Sequence, residues 1–260
     1  MMRSLLIGFA VALAMIAGAP PAGAAPGPNR IPPLLRPHFS FQGVFGRYNK
    51  AALKRGFEVF HQVCSNCHAL NRVDYHSLSA VGLTKAQIKA LAAERQIQAG
   101  PNAEGKMFMR PGRPSDPYIP PFPNAEAAAA VYGAAPPDLS LMAVQRKGGP
   151  DFIYSILMGF VPAPKGVSLP PNKFYNEYFP GHAISMPPPL APGAVTYADG
   201  TKATVPQMAH DVVTFLNWAA QPHLDERKAL GLRVLGFVAF LTILFYALKR
   251  QIWKNVDQRD

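Results

Sequence analysis

The sequence is poor in acidic residues and in cysteine. Its 260 residues include 15 Asp and Glu against 26 Lys and Arg, and only two cysteines. It contains no glycine-rich phosphate-binding loop and no internal repeat. Its aromatic residues are not interleaved with a basic cluster, so the excess of positive charge does not indicate nucleic-acid binding. With these classes excluded, the two cysteines are the residues most informative about function.

Both cysteines lie in the pentapeptide Cys64-Ser65-Asn66-Cys67-His68. The C-x-x-C-H pattern is typical of covalent attachment of a c-type haem, because two thiols three positions apart can each add across one haem vinyl group. The adjacent His68 is then placed to bind the iron axially. Such a histidine usually has its second ring nitrogen held by a backbone carbonyl, which fixes the ring.

Three alternatives compete with haem attachment at this pair. A disulfide between Cys64 and Cys67 needs no further residue. A thioredoxin-like redox pair requires a βαβ context, and no alternating strand–helix pattern surrounds the pentapeptide. A zinc site requires two more ligands at short spacing, and none lie nearby. The sequence therefore favours haem.

Residues 1–24 are typical of a secretory signal peptide. Arg3 supplies the charged start, the apolar run 5–17 is too short to span a bilayer, and Ala22-Gly23-Ala24 matches an A-x-A cleavage site. An N-terminal membrane anchor is the alternative. Export agrees with the pentapeptide, since covalent haem attachment takes place on the outer side of a bacterial inner membrane.

Residues 25–228 are predicted to form a mainly α, class I-like c-type cytochrome domain with long irregular loops. Proline-dense stretches predict an extended arm at 26–37, lying on the domain or on a partner, and irregular coil at 111–123. Thr84 and Gln87 form a capping-box signature. The predicted helices span residues 50–63, 84–98, 124–133, 136–146, 151–159 and 207–220.

The second iron ligand has to come from elsewhere in the chain, and Met186 is the first candidate. Three prolines follow it, and the residue before a proline is pushed towards extended geometry. A soft, neutral sulfur on a stiff loop suits a His/Met cytochrome. His182 is the main rival, and a gap-filling core methionine is the alternative role for Met186. The methionines predicted to lie in the core are Met107, Met109, Met142, Met158 and Met208.

Residues 229–249 are predicted to be a transmembrane helix, with a buried helix of a soluble protein as the alternative. About 20 apolar residues cross a hydrocarbon layer of roughly 30 Å at 1.5 Å per residue. Basic pairs flank the run, and Arg233 can extend to the headgroups. The positive-inside rule then keeps the tail, 250–260, in the cytoplasm and the haem domain in the periplasm.

Further stretches lie at intervals along the chain: Arg55-Gly56 with Val63 to His68, Ala135 to Ser140, Tyr175 to Gly181, Met186 to Leu190, and Asp211 to Ala220. In this order they resemble the cytochrome c1 family, the haem subunit of the ubiquinol:cytochrome c oxidoreductase (the cytochrome bc1 complex). They extend over nearly all of the chain after the signal peptide, and together they are far more specific than the haem signature alone.

The resemblance implies one covalently bound haem c, with Cys64 and Cys67 as thioether residues and His68 as an axial ligand. It makes Met186 the sixth iron ligand, and it places Arg146 on a haem propionate, where a guanidinium suits a carboxylate. The chain departs from the family pattern in two places.

The family usually has a tyrosine near a propionate where this chain has Phe152, which cannot donate a hydrogen bond. Tyr154 or water then makes that contact, or the contact is absent. The second departure is an alanine run at 127–130, where relatives often carry an arginine.

The resemblance also implies a function and partners. The chain accepts an electron from the Rieske iron–sulfur protein and passes it to a c-type cytochrome, within a dimeric complex that contains cytochrome b in the bacterial inner membrane. The quinol chemistry resides in other subunits, so the chain alone is not catalytic. The alternatives are a free-standing membrane-anchored cytochrome c shuttle and a haem sensor or oxidoreductase with an open iron site.

The charge balance of the predicted domain differs from what this resemblance implies. Positions 25–225 contain 18 Lys and Arg against 12 Asp and Glu, whereas members of this family commonly offer an acidic surface to a basic cytochrome c. Either the acceptor docks on a local acidic cluster, or the acceptor is not strongly basic.

Overall fold

The computed structural model describes residues 31–254. The predicted signal peptide, its cleavage site, the first residues of the proline-rich arm and the end of the tail lie outside this range. Within it the chain is mainly helical, as predicted. The helices are α1 (Lys50–Gln62), α2 (Lys85–Ala93), α3 (Ala125–Tyr132), α4 (Met142–Gln145), α5 (Gly149–Met158), α6 (Val205–Ala220) and α7 (Leu224–Trp253).

Short antiparallel strand pairs connect the helices. In the described part of the chain, β1 (Leu70–Asp74) pairs with β4 (Pro117–Tyr118), β2 (Gln96–Ala99) with β3 (Phe108–Pro111), and β5 (Phe174–Tyr175) with β6 (Ala183–Ile184). No parallel pair occurs among these strands, so the described residues contain no βαβ unit of the kind that a thioredoxin-like redox pair requires.

The core is centred on the packing of α1 against α6. Leu53, Phe57 and Phe60 form the buried face of α1, as their spacing predicts. The Phe57 and Phe215 rings meet edge to face with their centroids 5.7 Å apart. Trp218 of α6 is also buried, so the domain interior and not the membrane interface receives its indole. This packing fixes the end of α1, from which the haem pentapeptide continues.

Gly56 and a buried ion pair explain how closely α1 approaches α6. A Cβ at position 56 would lie 2.0 Å from the carbonyl oxygen of Asp211, so only glycine permits this contact. The Nε of Arg55 donates to Oδ2 of Asp211 at 2.8 Å. Burial alone would raise the pKa of Asp211, but the imidazole of His210, 3.8 Å away, and hydrogen bonds from Arg55 and Gln207 hold it below its ordinary value. The carboxylate therefore stays charged and ties the two helices together.

Two predicted helices are wrong in part. The predicted helix 84–98 starts with the expected capping box at Thr84, but α2 ends at Ala93. Residues 96–99 form a strand because all four pair with the strand Phe108–Pro111, a partner that local sequence does not reveal. Met107 and Met109 belong to this hairpin and are 55% and 58% exposed, so their assignment to the core is also wrong.

The predicted helix 136–146 is reduced to the single turn α4, Met142–Gln145. Residues 136–140 do not form a helix because their backbone groups bind the residues that follow the haem pentapeptide. For example, the amide of Leu139 donates to the carbonyl of Ala69 at 3.0 Å. A helix would have used those groups internally. The other predicted helices are present, and Asn124 and Gly133 bound α3 as expected.

The N-terminal arm lies on the domain over the part that is described. The amide of Leu35 donates to Oγ of Ser155 at 2.9 Å. Phe39 is fully buried, and its ring stacks on Phe41 and on His210. The described part of the predicted arm, 31–37, therefore lies on the domain, which was one of the two predicted positions.

Helix α7 meets the expectation of a membrane span. It is 30 residues long, its mean hydropathy reaches 2.0, and none of its most apolar window is buried against the rest of the chain. A helix from the interior of a soluble protein would be covered by its own domain. Length, composition and exposure therefore favour a membrane anchor, and α7 follows α6 directly at the bend around Pro222.

Candidate haem site

The haem pentapeptide forms a tight turn at the end of α1. Residues Cys64–Asn66 make one 3₁₀ turn, and the carbonyl of Cys64 accepts the amides of Cys67 at 3.1 Å and of His68 at 2.9 Å. The buried hydroxyl of Ser65 donates back to the carbonyl of His61 at 2.7 Å. The turn thus brings both thiols and the imidazole to one end of the helix.

The state of the two thiols argues against the alternatives to haem. Both cysteines are free, so no disulfide joins them. Burial raises the pKa of the Cys64 thiol to about 12, whereas the reactive thiol of a redox pair has a lowered pKa. Among the described residues, no group of three or more His, Cys, Asp and Glu side chains could hold a metal ion, which disfavours a zinc site.

His68 is oriented by a carbonyl, as expected for an axial ligand. Its Nδ1 lies 2.8 Å from the carbonyl oxygen of Pro137. A carbonyl oxygen can only accept, so Nδ1 carries the proton and Nε2 presents its lone pair. Burial lowers the pKa of His68 below its ordinary value, which keeps the ring neutral. A neutral imidazole with an available Nε2 is the form that binds iron.

The segment that supplies this carbonyl is held against the chain just after His68. We call residues 137–140 the clamp segment. Its carboxylate and hydroxyl accept backbone N–H groups, and its backbone both donates and accepts. The bonds are Asn71 N to Asp138 Oδ2 at 2.8 Å, Ser140 N to Asp138 Oδ1 at 2.8 Å, Arg72 N to Ser140 Oγ at 3.1 Å and Leu139 N to the carbonyl of Ala69 at 3.0 Å. Asp138, Leu139 and Ser140 therefore fix the segment whose Pro137 carbonyl orients the imidazole of His68.

Replacing Ser140 with alanine tests the clamp segment. Ser140 is fully buried, and its loss leaves the Arg72 amide without its acceptor. We expect Ser140→Ala to lower the free energy of unfolding of the haem-bearing protein by about 1–3 kcal/mol. Denaturant unfolding in detergent measures this. Ser79→Ala, at an exposed serine, is the matched control. Equal stability of the two variants would show that the clamp segment does not hold this site.

Met186 is carried by a different part of the domain. It lies two residues after β6 and is half-buried, and Pro187 and Pro188 after it are exposed. The β5–β6 hairpin is anchored to the end of α5 by Asn176, which is fully buried. Its Nδ2 donates to the carbonyl of Ile156 at 2.8 Å. Among the described residues, hydrogen bonds tie this hairpin to α5 and not to the turn that carries His68, so Met186 and the pentapeptide are positioned independently.

The rival ligand His182 is held in the same hairpin. Its Nδ1 lies 3.1 Å from the carbonyl oxygen of Asn176, and its ring stacks on Tyr175. Its Nε2 is buried without a hydrogen-bond partner in the described part of the chain. His182 lines a cavity of about 260 Å³ together with Leu169 and Tyr175. The choice between Met186 and His182 stays a prediction with a direct spectroscopic test.

Arg146 lies where α4 ends, exposed to solvent. Its Nε lies 3.4 Å from the sulfur of Met142, which leaves the rest of the guanidinium available. Phe152 and Tyr154 are half-buried on α5. The Tyr154 ring packs edge-on against Phe39, just after the arm, with 6.3 Å between the ring centroids. The structure thus gives Tyr154 a packing role of its own.

The sequence did not indicate the residues that hold the pentapeptide turn and the last turn of α1 in place. Arg95 donates to the carbonyl of Ser65 at 3.1 Å and lies over the ring of Tyr118. The Tyr118 hydroxyl lies 2.8 Å from Nδ1 of His61. None of these residues forms a recognisable motif, because the contacts join positions 23 to 57 residues apart.

The known proteins that are similar to this chain are described as cytochromes c1. A family model described as the Cytochrome C1 family matches residues 39–256. Cytochrome c1 of Rhodospirillum rubrum is 52% identical over 240 residues, which cover 86% of this chain and 88% of that protein. The mitochondrial cytochrome c1 heme protein of Schizosaccharomyces pombe is 45% identical over 83% of this chain and 71% of its own length. Cytochrome c1-2 of Solanum tuberosum is 43% identical over 84% of each chain.

Proposed function

The chain belongs to the cytochrome c1 family, and from this premise we propose which of its residues hold the haem and in which direction electrons pass. It is a haem-carrying electron-transfer subunit of a cytochrome bc1 complex, together with cytochrome b and a Rieske protein, and it carries one covalently bound c-type haem. Membership of the complex decides against a free-standing shuttle and against a haem sensor.

Cys64 and Cys67 form the two thioether bonds, Nε2 of His68 is one axial ligand, and the sulfur of Met186 is the other. The observation that carries this assignment is the 2.8 Å contact between Nδ1 of His68 and the carbonyl of Pro137, which leaves Nε2 to the iron. Two free thiols and a neutral imidazole at one helix end fit a c-type haem. When bound, the haem supplies a one-electron couple between ferric and ferrous iron.

Arg146 binds a haem propionate in this proposal. Its guanidinium is exposed at the end of α4, the helix that follows the clamp segment, with Nε against Met142 and the other nitrogens available. A planar guanidinium can bind a carboxylate through two parallel hydrogen bonds. Its positive charge also favours the ferrous state, since reduction adds a negative charge.

The proposed order of electron transfer is from the Rieske protein to this haem and on to a c-type cytochrome, within a dimeric complex. Helix α7 anchors the chain in a membrane. We place the haem domain, 25–228, in the periplasm of a bacterium, the span at 229–249 and the tail, 250–260, in the cytoplasm after removal of 1–24. The tail side of the span has Lys249, Arg250, Lys254 and Arg259, against Arg227 and Lys228 on the other side, and this excess supports the orientation.

Withdrawal of the Rieske subunit tests the proposed order. In membranes that lack it, we expect a quinol to reduce the haems of cytochrome b and to leave the haem of this chain oxidised, while ascorbate still reduces it. Stopped-flow absorbance in the α-band region separates the two cytochromes. Reduction of this haem by quinol at the rate of the complete complex would contradict the proposed route.

A further inference from the structure

The loop between the N-terminal arm and α1 exposes two apolar side chains at its tip. Val44 is 63% exposed and Phe45 is 81% exposed, the largest value among the exposed large hydrophobic residues that the structure describes. The loop is shaped by glycines on either side. Gly43 has φ +73°, and a Cβ at Gly46 would lie 1.9 Å from the carbonyl oxygen of Gln42. The two glycines therefore give the backbone of the tip a defined conformation.

This loop is docked on the first turns of α7. The Nζ of Lys228 donates to the carbonyls of Phe41 at 2.6 Å, Gly43 at 2.7 Å and Gly46 at 3.0 Å. The amide of Tyr48, at the end of the loop, donates to the carboxylate of Asp225 at 3.2 Å. The start of the membrane anchor and the loop thus form one unit, and the ammonium of Lys228 is directed to the loop.

The position of Lys228 on α7 sets the height of the loop above the membrane. Lys228 immediately precedes the apolar run 229–248. Arg233, the only charge early in that run, lies five residues further on, about 7.5 Å along the helix axis at 1.5 Å per residue. A headgroup layer is roughly 5–8 Å thick on each side of the hydrocarbon. The span begins at 229, and the side chain of Arg233, just inside it, extends to the headgroups, so the carbonyls bound by Lys228 lie at headgroup level.

We propose that Val44 and Phe45 insert into the interfacial layer of the bilayer beside α7, so that the haem domain contacts phospholipid at a second point. The surface is continuous with the membrane anchor through Lys228. It has no acidic residue between positions 41 and 50, and Arg47 and Lys50 beside the tip are exposed. Cations next to an apolar, aromatic tip suit an anionic lipid surface.

A protein partner fits the tip less well than lipid. A stable protein interface usually buries about 800 Å² on each partner, and the tip offers two apolar side chains. A phenylalanine ring that enters the boundary between headgroups and acyl chains contributes through its buried apolar area, without a matching protein surface. The loop therefore limits the tilt and rotation of the haem domain relative to the membrane.

Photo-crosslinking in native membranes tests this contact on the full chain in its complex. The photoreactive residue p-benzoyl-L-phenylalanine replaces Phe45 in one variant and Phe174, which is 38% exposed in the β5–β6 hairpin, in the control. The absorbance spectrum of the haem shows that each variant is assembled. Mass spectrometry of the irradiated chain then identifies the adducts.

We expect phospholipid adducts at position 45 to exceed those at position 174 several-fold. Two results would overturn the proposal: adducts at position 45 that lie mainly on another subunit, or lipid adducts no more frequent than in the control. If the variant at position 45 does not accumulate, the same probe at Val44 gives the same comparison.

Discussion

We expect Met186→Lys to yield a folded haem protein that no longer accepts electrons from the Rieske centre. A thioether is soft and neutral and favours ferrous iron, whereas an amine is harder and favours ferric iron, so the reduction potential falls. Each 59 mV corresponds to about a tenfold change in a one-electron equilibrium. A fall of several such steps puts the haem below a Rieske centre, whose potentials reach about +300 mV. Redox titration of the purified complex measures the fall.

The same substitution should remove the weak sulfur-to-iron absorption band at the red end of the ferric spectrum. Met109→Lys is the matched control, because it makes the same change at a methionine that is 58% exposed in the β2–β3 hairpin. It should keep both the band and the potential. His182→Ala should keep the band as well. Survival of the band in Met186→Lys together with its loss in His182→Ala would transfer the sixth ligand to the histidine.

The double variant Cys64→Ser, Cys67→Ser is expected to accumulate no stable haem-bearing protein. Serine hydroxyls do not form thioethers with the haem vinyl groups, and the remaining axial ligands hold the haem without a covalent bond. Each single variant retains at most one thioether. The measurement is haem staining after denaturing electrophoresis, in which only covalently attached haem stays with the chain.

Asn66→Ala is the control for the cysteine variants. Asn66 lies between the two cysteines in the same turn, and its exposed amide donates to the carbonyl of Gln62 at 3.1 Å. Its removal leaves both thiols in place, so the stained band should persist. A stained band in the double serine variant would disprove covalent attachment through this pentapeptide.

The haem site shows which features a local sequence pattern can predict and which it cannot. C-x-x-C-H predicts the two thiols and the axial histidine, since all three lie within five consecutive residues. It also predicts that a carbonyl holds the histidine, but not which one. Pro137 is 69 residues further along the chain, and it reaches His68 because the clamp segment gives up helical structure to bind the residues after the pentapeptide. The loss of the predicted helix 136–146 has the same cause.

The sequence patterns that predict a helix or its cap lie within the segment itself. For this reason the membrane helix α7, helix α1 and the caps of α2 and α3 could be predicted. An apolar run of sufficient length, a 3.6-residue periodicity and a capping side chain three residues from its amide are all local. By contrast, residues 96–99 became a strand through pairing with 108–111. Met107 and Met109 are exposed because that hairpin lies outside the core.

By itself, the sequence determined that this protein is a membrane-anchored haem carrier, because covalent attachment, the apolar span and the helix caps depend on neighbours within a few residues. Only the tertiary structure decided that Nε2 of His68 is the ring nitrogen left for iron, that Gly56 allows α1 to meet α6, and that Lys228 ties an apolar loop to the membrane helix. These features join groups 69, 155 and about 185 positions apart. The physical reason is that each depends on a partner group which only folding brings within hydrogen-bond or van der Waals distance.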